Sequence, residues 1–356
     1  MKICILGNGL TSLTLAKSLV NKGINVDIFS NNNLKIQNNN RTIGISKSNV
    51  EFFNKDILNI QNKTWDINEI EINNENLNNE KILNFKNNNQ KVFSIIKNSE
   101  LINQLLSELE KNKLFNIYKK GFTQTAMNNE YKLIFNCDFN NFITKKFFNK
   151  KIIKDYDSNA FTSIINHKRV DNNTAIQVFT KRGPLAFLPI SHTKTSIVYS
   201  VKGSEKINFE KLVKKYNIKY DILNIQKPSS FELKSFALRS YYHKNILAFG
   251  DLLHKLHPLA GQGFNMTLRD IKEILRLIDV KIKNGLDLDS SICSDFEKNM
   301  RHKNYLFLNG VDFIYEFFNF ERKTKSKIFS KTAKFLGKNS HLNKRFIKIA
   351  DNGFLF

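Results

Sequence analysis

The residues of this chain whose types and order could do chemistry lie between 246 and 270. An apolar run, Ile246, Leu247, Ala248 and Phe249, ends in Gly250-Asp251. The turn HPLAGQG follows at 257–263, and a helical pattern then runs from Asn265 to Ile282. The apolar run reads as a buried strand with a carboxylate at its carboxyl end. Gly261 and Gly263 let backbone N–H groups come close to a ligand, and the start of the helix favours an anion or a polarised oxygen. Ligands of open α/β sheets bind outside the carboxyl ends of the strands. A plain strand–turn–helix has no need of Gly, Asp, Pro, Gly, Gln, Gly and Asn in this order.

The elements that must position this stretch begin at the first residues. KICIL (2–6) is a short apolar strand, broken by Gly7-Asn8-Gly9 and followed by a helix pattern of Leu10, Leu13, Leu15, Ala16, Leu19 and Val20. Gly23 closes the helix, and Asn25 to Phe29 reads as a second strand. This is a βαβ opening with a dinucleotide fingerprint, in which Ser12 replaces the third glycine. The acidic residue expected at the end of the second strand, to hold an adenosine ribose, is Ser30. Asp27 lies three residues early, inside the strand. Weaker dinucleotide binding than usual is the expectation.

The run GD followed by HPLAGQG-x-N resembles the second flavin motif of the class A FAD-dependent aromatic monooxygenases, and specifically the ubiquinone-biosynthesis hydroxylases. The resemblance implies that Asp251 binds the ribityl chain of FAD. It further implies that Pro258, Gly261, Gln262, Gly263 and Asn265 lie along the isoalloxazine ring, with Gly250 beside them. RTIGISKSNVEFF (41–53) resembles another segment of the family and makes Arg41 a candidate FAD contact; Asn98 falls on a family helix that packs beside the flavin domain. With Gly7, Gly9, Ser12 and Ser30, these form the expected cofactor site. GPLAFLPI (183–190) resembles the strand over the flavin face and suggests Phe187, Leu188 and Pro189 near a substrate. A motif that touches FAD and the nicotinamide coenzyme in the family is eroded at 134–146: Asp138 remains, while Phe139, Phe142 and Lys145 replace Gly, Ser and Arg. That departure puts normal reduction by NAD(P)H in doubt.

The expected fold is a two-domain α/β (α+β) protein. It joins a Rossmann-like FAD-binding domain of the p-hydroxybenzoate hydroxylase type to an antiparallel-sheet substrate domain and C-terminal helices. The flavin domain is expected to be discontinuous, over 1–60, 92–150 and 237–285. The substrate sheet takes 61–91 and 151–236, where segments rich in Val, Ile, Thr and aromatics are separated by turn residues. The helical region takes 286–356, where Phe307, Val311, Ile314 and Phe318 share one helical face.

At 356 residues the chain is long enough for a substantial core. Its 56 Lys+Arg against 32 Asp+Glu give a net charge of +24, which fits an anionic membrane surface. The basic residues are dispersed and carry no nucleic-acid motif. Part of the excess is compositional, since the chain is rich in Lys, Asn, Ile and Phe and only nine basic residues are Arg. Between Arg322 and Ala350 stand ten basic residues and no acid, interleaved with apolar ones, a pattern able to lie on anionic lipid. Three scattered cysteines, Cys4, Cys137 and Cys293, have no metal spacing. No leader or spanning segment is read, so a cytoplasmic protein peripheral to the inner membrane is expected.

The resemblance implies ring hydroxylation of a polyprenylated phenol in ubiquinone biosynthesis through a flavin C4a-hydroperoxide, with FAD, NAD(P)H and O2. Other ubiquinone-biosynthesis proteins are candidate partners. His254 and His257 flank the flavin loop and are the candidates for orienting or deprotonating a phenol. Two alternatives stand beside this reading: a related flavoenzyme such as a prenyl reductase, and a flavin-weak structural member of a biosynthetic complex.

Overall fold

In the computed structural model, residues 2–30, 41–75, 80–86, 91–119, 122, 131–203, 207–256, 262–324 and 351 are described. Along the chain come β1 (Lys2–Leu6), α1 (Leu10–Val20), β2 (Asn25–Phe29), β3 (Thr42–Ser46) and α2 (Lys47–Phe52). β4 (Trp65–Ile67), β5 (Glu69–Asn74), β6 (Glu80–Lys86) and β7 (Phe93–Lys97) lead into α3 (Asn98–Glu110). β8 (Phe115–Tyr118), β9 (Leu133–Asn136), α4 (Phe142–Phe147), β10 (Lys151–His167), β11 (Thr174–Thr180), β12 (Gly183–Pro189) and β13 (Lys194–Lys202) follow. The last elements are α5 (Phe209–Tyr216), β14 (Ile222–Ile225), β15 (Ser229–Leu238), β16 (Tyr242–His243), β17 (Ile246–Ala248), β18 (His254–Lys255), α6 (Gln262–Lys283) and α7 (Ser291–Thr324).

β1 has no polar face because both of its faces are covered: Ile3, Cys4 and Ile5 are fully buried, as expected of a central parallel strand. It pairs in parallel with β2 on one side and β9 on the other. The sheet order is β16-β17-β9-β1-β2-β8, so the chain reverses its direction of growth between β1 and β9. In a doubly wound sheet that switch point opens a ligand crevice. α1, α3 and α6 supply Leu13, Leu101, Leu105, Leu268 and Ile271 to the core around this sheet.

The second sheet runs β18-β15-β10-β13-β12-β11-β5-β6, with β14 on β10. The expectation of a wholly antiparallel sheet needs one correction, because β5 and β11 pair in parallel. These strands are far apart in sequence, and a long connection can return a strand in either direction. Alternation of side chains gives the sheet two different faces. Ile176, Val178, Leu185, Phe187, Ile197 and Tyr199 pack on α5 through Phe209, Val213 and Tyr216. Tyr156, Ala160, Phe179 and Leu233 pack on the other face, against Leu256, Met266 and the α7 residues Phe307, Leu308, Val311 and Tyr315. The C-terminal region thus begins with one long helix laid over the sheet beside Leu256 and Met266. Phe307 and Val311 are on its buried face; the side chains of Ile314 and Phe318, and residues 325–350 of the basic run, lie outside the described residues.

A third, small sheet, β3-β7-β4, sits between the other two. Its Thr42 hydroxyl donates to Ser196 Oγ of β13 at 2.8 Å. β18, α6 and α7 are locked together by a buried polar chain: His254 Nε2 lies 2.5 Å from Asp270 Oδ2, and Asn304 Nδ2 donates to Asp270 Oδ1 at 3.1 Å. All three are nearly inaccessible. Asp270→Ala leaves His254 and Asn304 buried without this partner, a loss of about 2–4 kcal/mol. Denaturant unfolding should show that loss, and an unchanged midpoint would refute the locking role.

Candidate functional site

Three strand ends converge on the crevice. Gly7 follows β1 with φ +96°, and a Cβ there would stand 3.4 Å from the Cβ of Asp138 beyond β9. Gly250, two residues past β17, has φ +62°, and its Cβ would fall 2.5 Å from Thr11 Cγ2 in the first turn of α1. Both conformations suit glycine. The register places Leu6 and Ala248 on either side of Asn136, so Gly7, Asp138 and Gly250-Asp251 lie side by side. Asp251 is exposed at this lip.

Gly9 and Gly263 differ from those two. Gly9, at the N-cap of α1, has an ordinary φ of −73°. Among the described residues, a Cβ added at either position meets nothing within 4 Å. The protein itself does not require glycine there, whereas a ligand lying against the backbone would. Neither α1 nor α6 has an acidic residue in its first turn, which leaves both helix starts suited to an anion or polarised oxygen. Gln262 Oε1, at the start of α6, is buried with no hydrogen-bond partner among the described residues. This glycine-lined crevice with two such helix starts fits a dinucleotide such as FAD. His257, Pro258 and Gly261 lie outside the described residues.

Ser12 is fully buried, with its hydroxyl against the Cys137 thiol. Burial, followed by the charges of Asp251 and Asp138, pushes that thiol up to about 12, so it is no nucleophile at neutral pH. Ser30 ends β2 buried, its N–H donating to Tyr118 O at 3.1 Å. Asp27 cannot replace the missing ribose carboxylate, because it accepts from Tyr131 Oη at 2.6 Å and Asn116 Nδ2 at 3.0 Å and pairs with Lys2 at 2.6 Å. Arg41 is exposed at the start of β3, and its carbonyl accepts the N–H of Asn98 at 3.0 Å, which brings those two candidates together.

Several expected roles change. The Asn265 side chain is committed to the protein: Nδ2 donates to Gly44 O at 2.9 Å, while Oδ1 accepts from Ser46 N at 2.8 Å and Asn49 Nδ2 at 3.0 Å. It fastens α6 to β3 and α2 and is not presented to a ligand. His254, bound to Asp270, is likewise a structural group and not a free base. Phe187 points into the α5-side core, and alternation puts Pro189 on the same face. Leu188 points the other way but packs with Ile67, Ile95 and Trp65. None of the three faces the cluster of Leu256 and Met266 beside the turn. Phe139, in place of the motif glycine, stands edge-on to Phe236 of β15 at 5.7 Å, with Lys151 Nζ 5.5 Å and 4.9 Å from the two rings. Asp138 Oδ1 accepts from Asn140 N at 2.9 Å, and Lys145 is exposed on α4.

Sequence reasoning missed Asp270 and Arg269. The signal was a charged pair within the buried stripe of Met266, Leu268, Ile271 and Ile274. The Arg269 guanidinium sits 4.0 Å over the Phe307 ring, and burial lowers it to about 10.

The fold is that of the FAD-dependent aromatic monooxygenases. The p-nitrophenol 4-monooxygenase PnpA of Pseudomonas putida superposes with a TM-score of 0.81 at 10% identity, over 99% of this chain and 98% of that one. The HpxO structure from Klebsiella pneumoniae, complexed with FAD and uric acid, gives 0.75 at 10% identity over 99% and 96%. In sequence, part of the chain is similar to ubiquinone-biosynthesis monooxygenases. It is 26% identical to the mitochondrial ubiquinone biosynthesis monooxygenase COQ6 of Rattus norvegicus, over 45% of this chain and 43% of the relative. It is also 26% identical to the ubiquinone hydroxylase UbiL of Rhodospirillum rubrum, over 46% and 41%. These matches span less than half the length of the two relatives. No family model matches the chain.

The two kinds of glycine should separate on substitution. Gly9→Ala should fold with wild-type stability yet bind FAD at least about tenfold more weakly, about 1.4 kcal/mol. Gly250→Ala should destabilise the apoprotein itself through its left-handed φ and the Thr11 clash. Titration of FAD into each apoprotein, beside thermal unfolding, checks both; wild-type affinity in the Gly9 variant would remove that glycine from the site.

Proposed function

We propose that this protein is an FAD-dependent monooxygenase that hydroxylates the aromatic ring of a polyprenylated phenol in ubiquinone biosynthesis, with NAD(P)H as reductant and O2 as cosubstrate. The observation that carries the reading is the crevice where β1, β9 and β17 end, lined by glycines at 7, 9, 250 and 263, with Asp251 at its lip. The similarity to ubiquinone-biosynthesis monooxygenases supports the substrate class. When bound and reduced, FAD supplies the activation of O2 that an electron-rich ring requires.

The residues of the chain bind, orient and exclude water. The backbone of Gly7–Gly9 and the start of α1 hold the pyrophosphate. Asp251 accepts hydrogen bonds from the ribityl hydroxyls, and Arg41 and Asn98 close the same side. Gln262 and Gly263 at the start of α6 line the ring. Leu256 and Met266 pack with Phe179 and Leu233 in the core under α7, which excludes water on that side. A polyprenyl tail belongs in a bilayer, so the protein works peripherally at an anionic inner-membrane surface, a reading supported by its charge of +24. Among the described residues no helix is long and apolar enough to cross a membrane.

Flavin content is the decisive measurement. Purified protein should carry FAD that NADH or NADPH bleaches in the presence of a prenylated phenol. Asp251→Ala should weaken FAD binding by about tenfold or more, since a charge-assisted hydrogen bond contributes about 1.5–3 kcal/mol. Absence of bound flavin after incubation of the folded protein with excess FAD would overturn the enzyme reading and leave a structural role.

A further inference from the structure

A groove of about 590 Å³ lies between the first half of α7 and the corner where β15 turns into β16. It shares no lining residue with the crevice described above. Its apolar surface is Ala237, Leu238 and Leu308, extended outward by Ile152 and Tyr305, which are 51% and 55% exposed. Its rim is basic: Arg239 on the sheet side, and Lys298, Arg301 and His302 on α7. The acidic lining residue is Glu297, whose Oε1 already accepts Tyr241 N–H at 3.1 Å and lies 3.7 Å from Arg301 Nη1. Among the described residues, Arg239 and Lys298 have no carboxylate partner.

The groove continues along the helix. Lys298, His302, Tyr305, Phe313 and Phe320 recur at spacings that keep them on one outward side of α7. Phe313 and Phe320 are 68% and 54% exposed. That side carries Lys298 and His302 in its first half, with Asp295 at its edge, and Phe313 and Phe320 in its second, where Glu316 is paired with Lys154 at 3.3 Å. Exposed large apolar groups beside cations are costly in water and favourable where a polar headgroup layer meets hydrocarbon. A basic rim above an apolar floor matches one chemistry: an anionic headgroup with a chain attached.

We propose that this groove binds an anionic phospholipid of the membrane surface, its headgroup between Arg239 and Arg301 and its acyl chain over Ile152, Leu238, Tyr305 and Leu308. The site rests on the reading that the protein works at a membrane. It transfers the main membrane contact from the basic run at 322–350 to the surface formed by α7, β10 and β15.

The test is co-sedimentation of the full chain with phosphatidylcholine vesicles, with and without phosphatidylglycerol. Wild-type protein should partition onto the anionic vesicles and not onto phosphatidylcholine alone. Arg239→Glu/Arg301→Glu should lower that partition by about tenfold or more, given about 1 kcal/mol per basic residue near the surface. Ile152→Asp/Tyr305→Asp should lower it through the chain contact, and Lys331→Glu/Lys334→Glu in the basic run should lower it less than either groove variant. Far-UV circular dichroism and flavin content of each variant report folding. The proposal fails if folded groove variants sediment like wild type, or if neutral vesicles bind equally. It also fails if the 331/334 variant alone abolishes binding, or if inorganic phosphate displaces the vesicles, which would leave a free-phosphate site. Hydroxylation of a short-chain, water-soluble phenol should be unchanged in the groove variants; its absence in wild type as well would count against the enzyme reading and not against the lipid site.

Discussion

The mouth of the crevice is held by one buried side-chain amide. Asn265 stands in the first turn of α6 and reaches three groups of β3 and α2, namely Gly44 O, Ser46 N and the Asn49 amide. Each such bond contributes only about 1 kcal/mol net, but a buried partner left unsatisfied costs more than that. Its main consequence is geometric. β3 belongs to the small sheet and touches the large sheet through Thr42 and Ser196. Fixing α6 to β3 therefore sets the distance between the start of α6 and the large sheet. The same junction is gripped from the far end of the chain, where Asp351 Oδ1 accepts Ser48 N at 2.9 Å and its carbonyl accepts Ser46 Oγ at 3.1 Å.

Around that tie, identical residue types perform different tasks. Gly250 is required by the protein, because β17 ends against Thr11 and leaves no room for a methyl group. Gly9 and Gly263 differ, since none of the described residues fills the space beside them. A glycine placed where packing does not demand it indicates that the open space serves something outside the chain. Together with two helix starts free of acidic side chains, this argues for an anionic or strongly polar ligand more directly than the glycine motif alone.

The glycine and acid spacing made the crevice legible in the sequence, because strand, turn and helix there are neighbours in the chain and local chemistry dictates them. What sequence did not reveal depended on distant partners. The face to which Phe187 points is decided by pairing with β11 and β13, and one residue of register would exchange it with Leu188. Asn265 looked like a ligand residue because its motif is a ligand motif, yet its partners lie more than 200 residues upstream. His254 looked like a possible base until Asp270, a carboxylate on the buried side of α6, was seen to bind it. The parallel pairing of β5 with β11 has the same origin, in a connection too long for a turn rule to govern.

The replacement of glycine by Phe139 belongs to this last kind of effect. A glycine there would admit close backbone approach from outside. Phe139 instead places a ring against Phe236 of the large sheet, and Lys151 stands near both rings with its ammonium held below the usual lysine range by burial. Aromatic and cation–π contacts of this kind contribute about 0.5–1.5 kcal/mol each, enough to bias how the two sheets sit at the crevice without welding them. The substitution therefore exchanges an approach to the crevice for a contact across it. The route past Asp138 is thereby narrowed by two side chains, Phe139 and Lys151, that are held from the large sheet through Phe236.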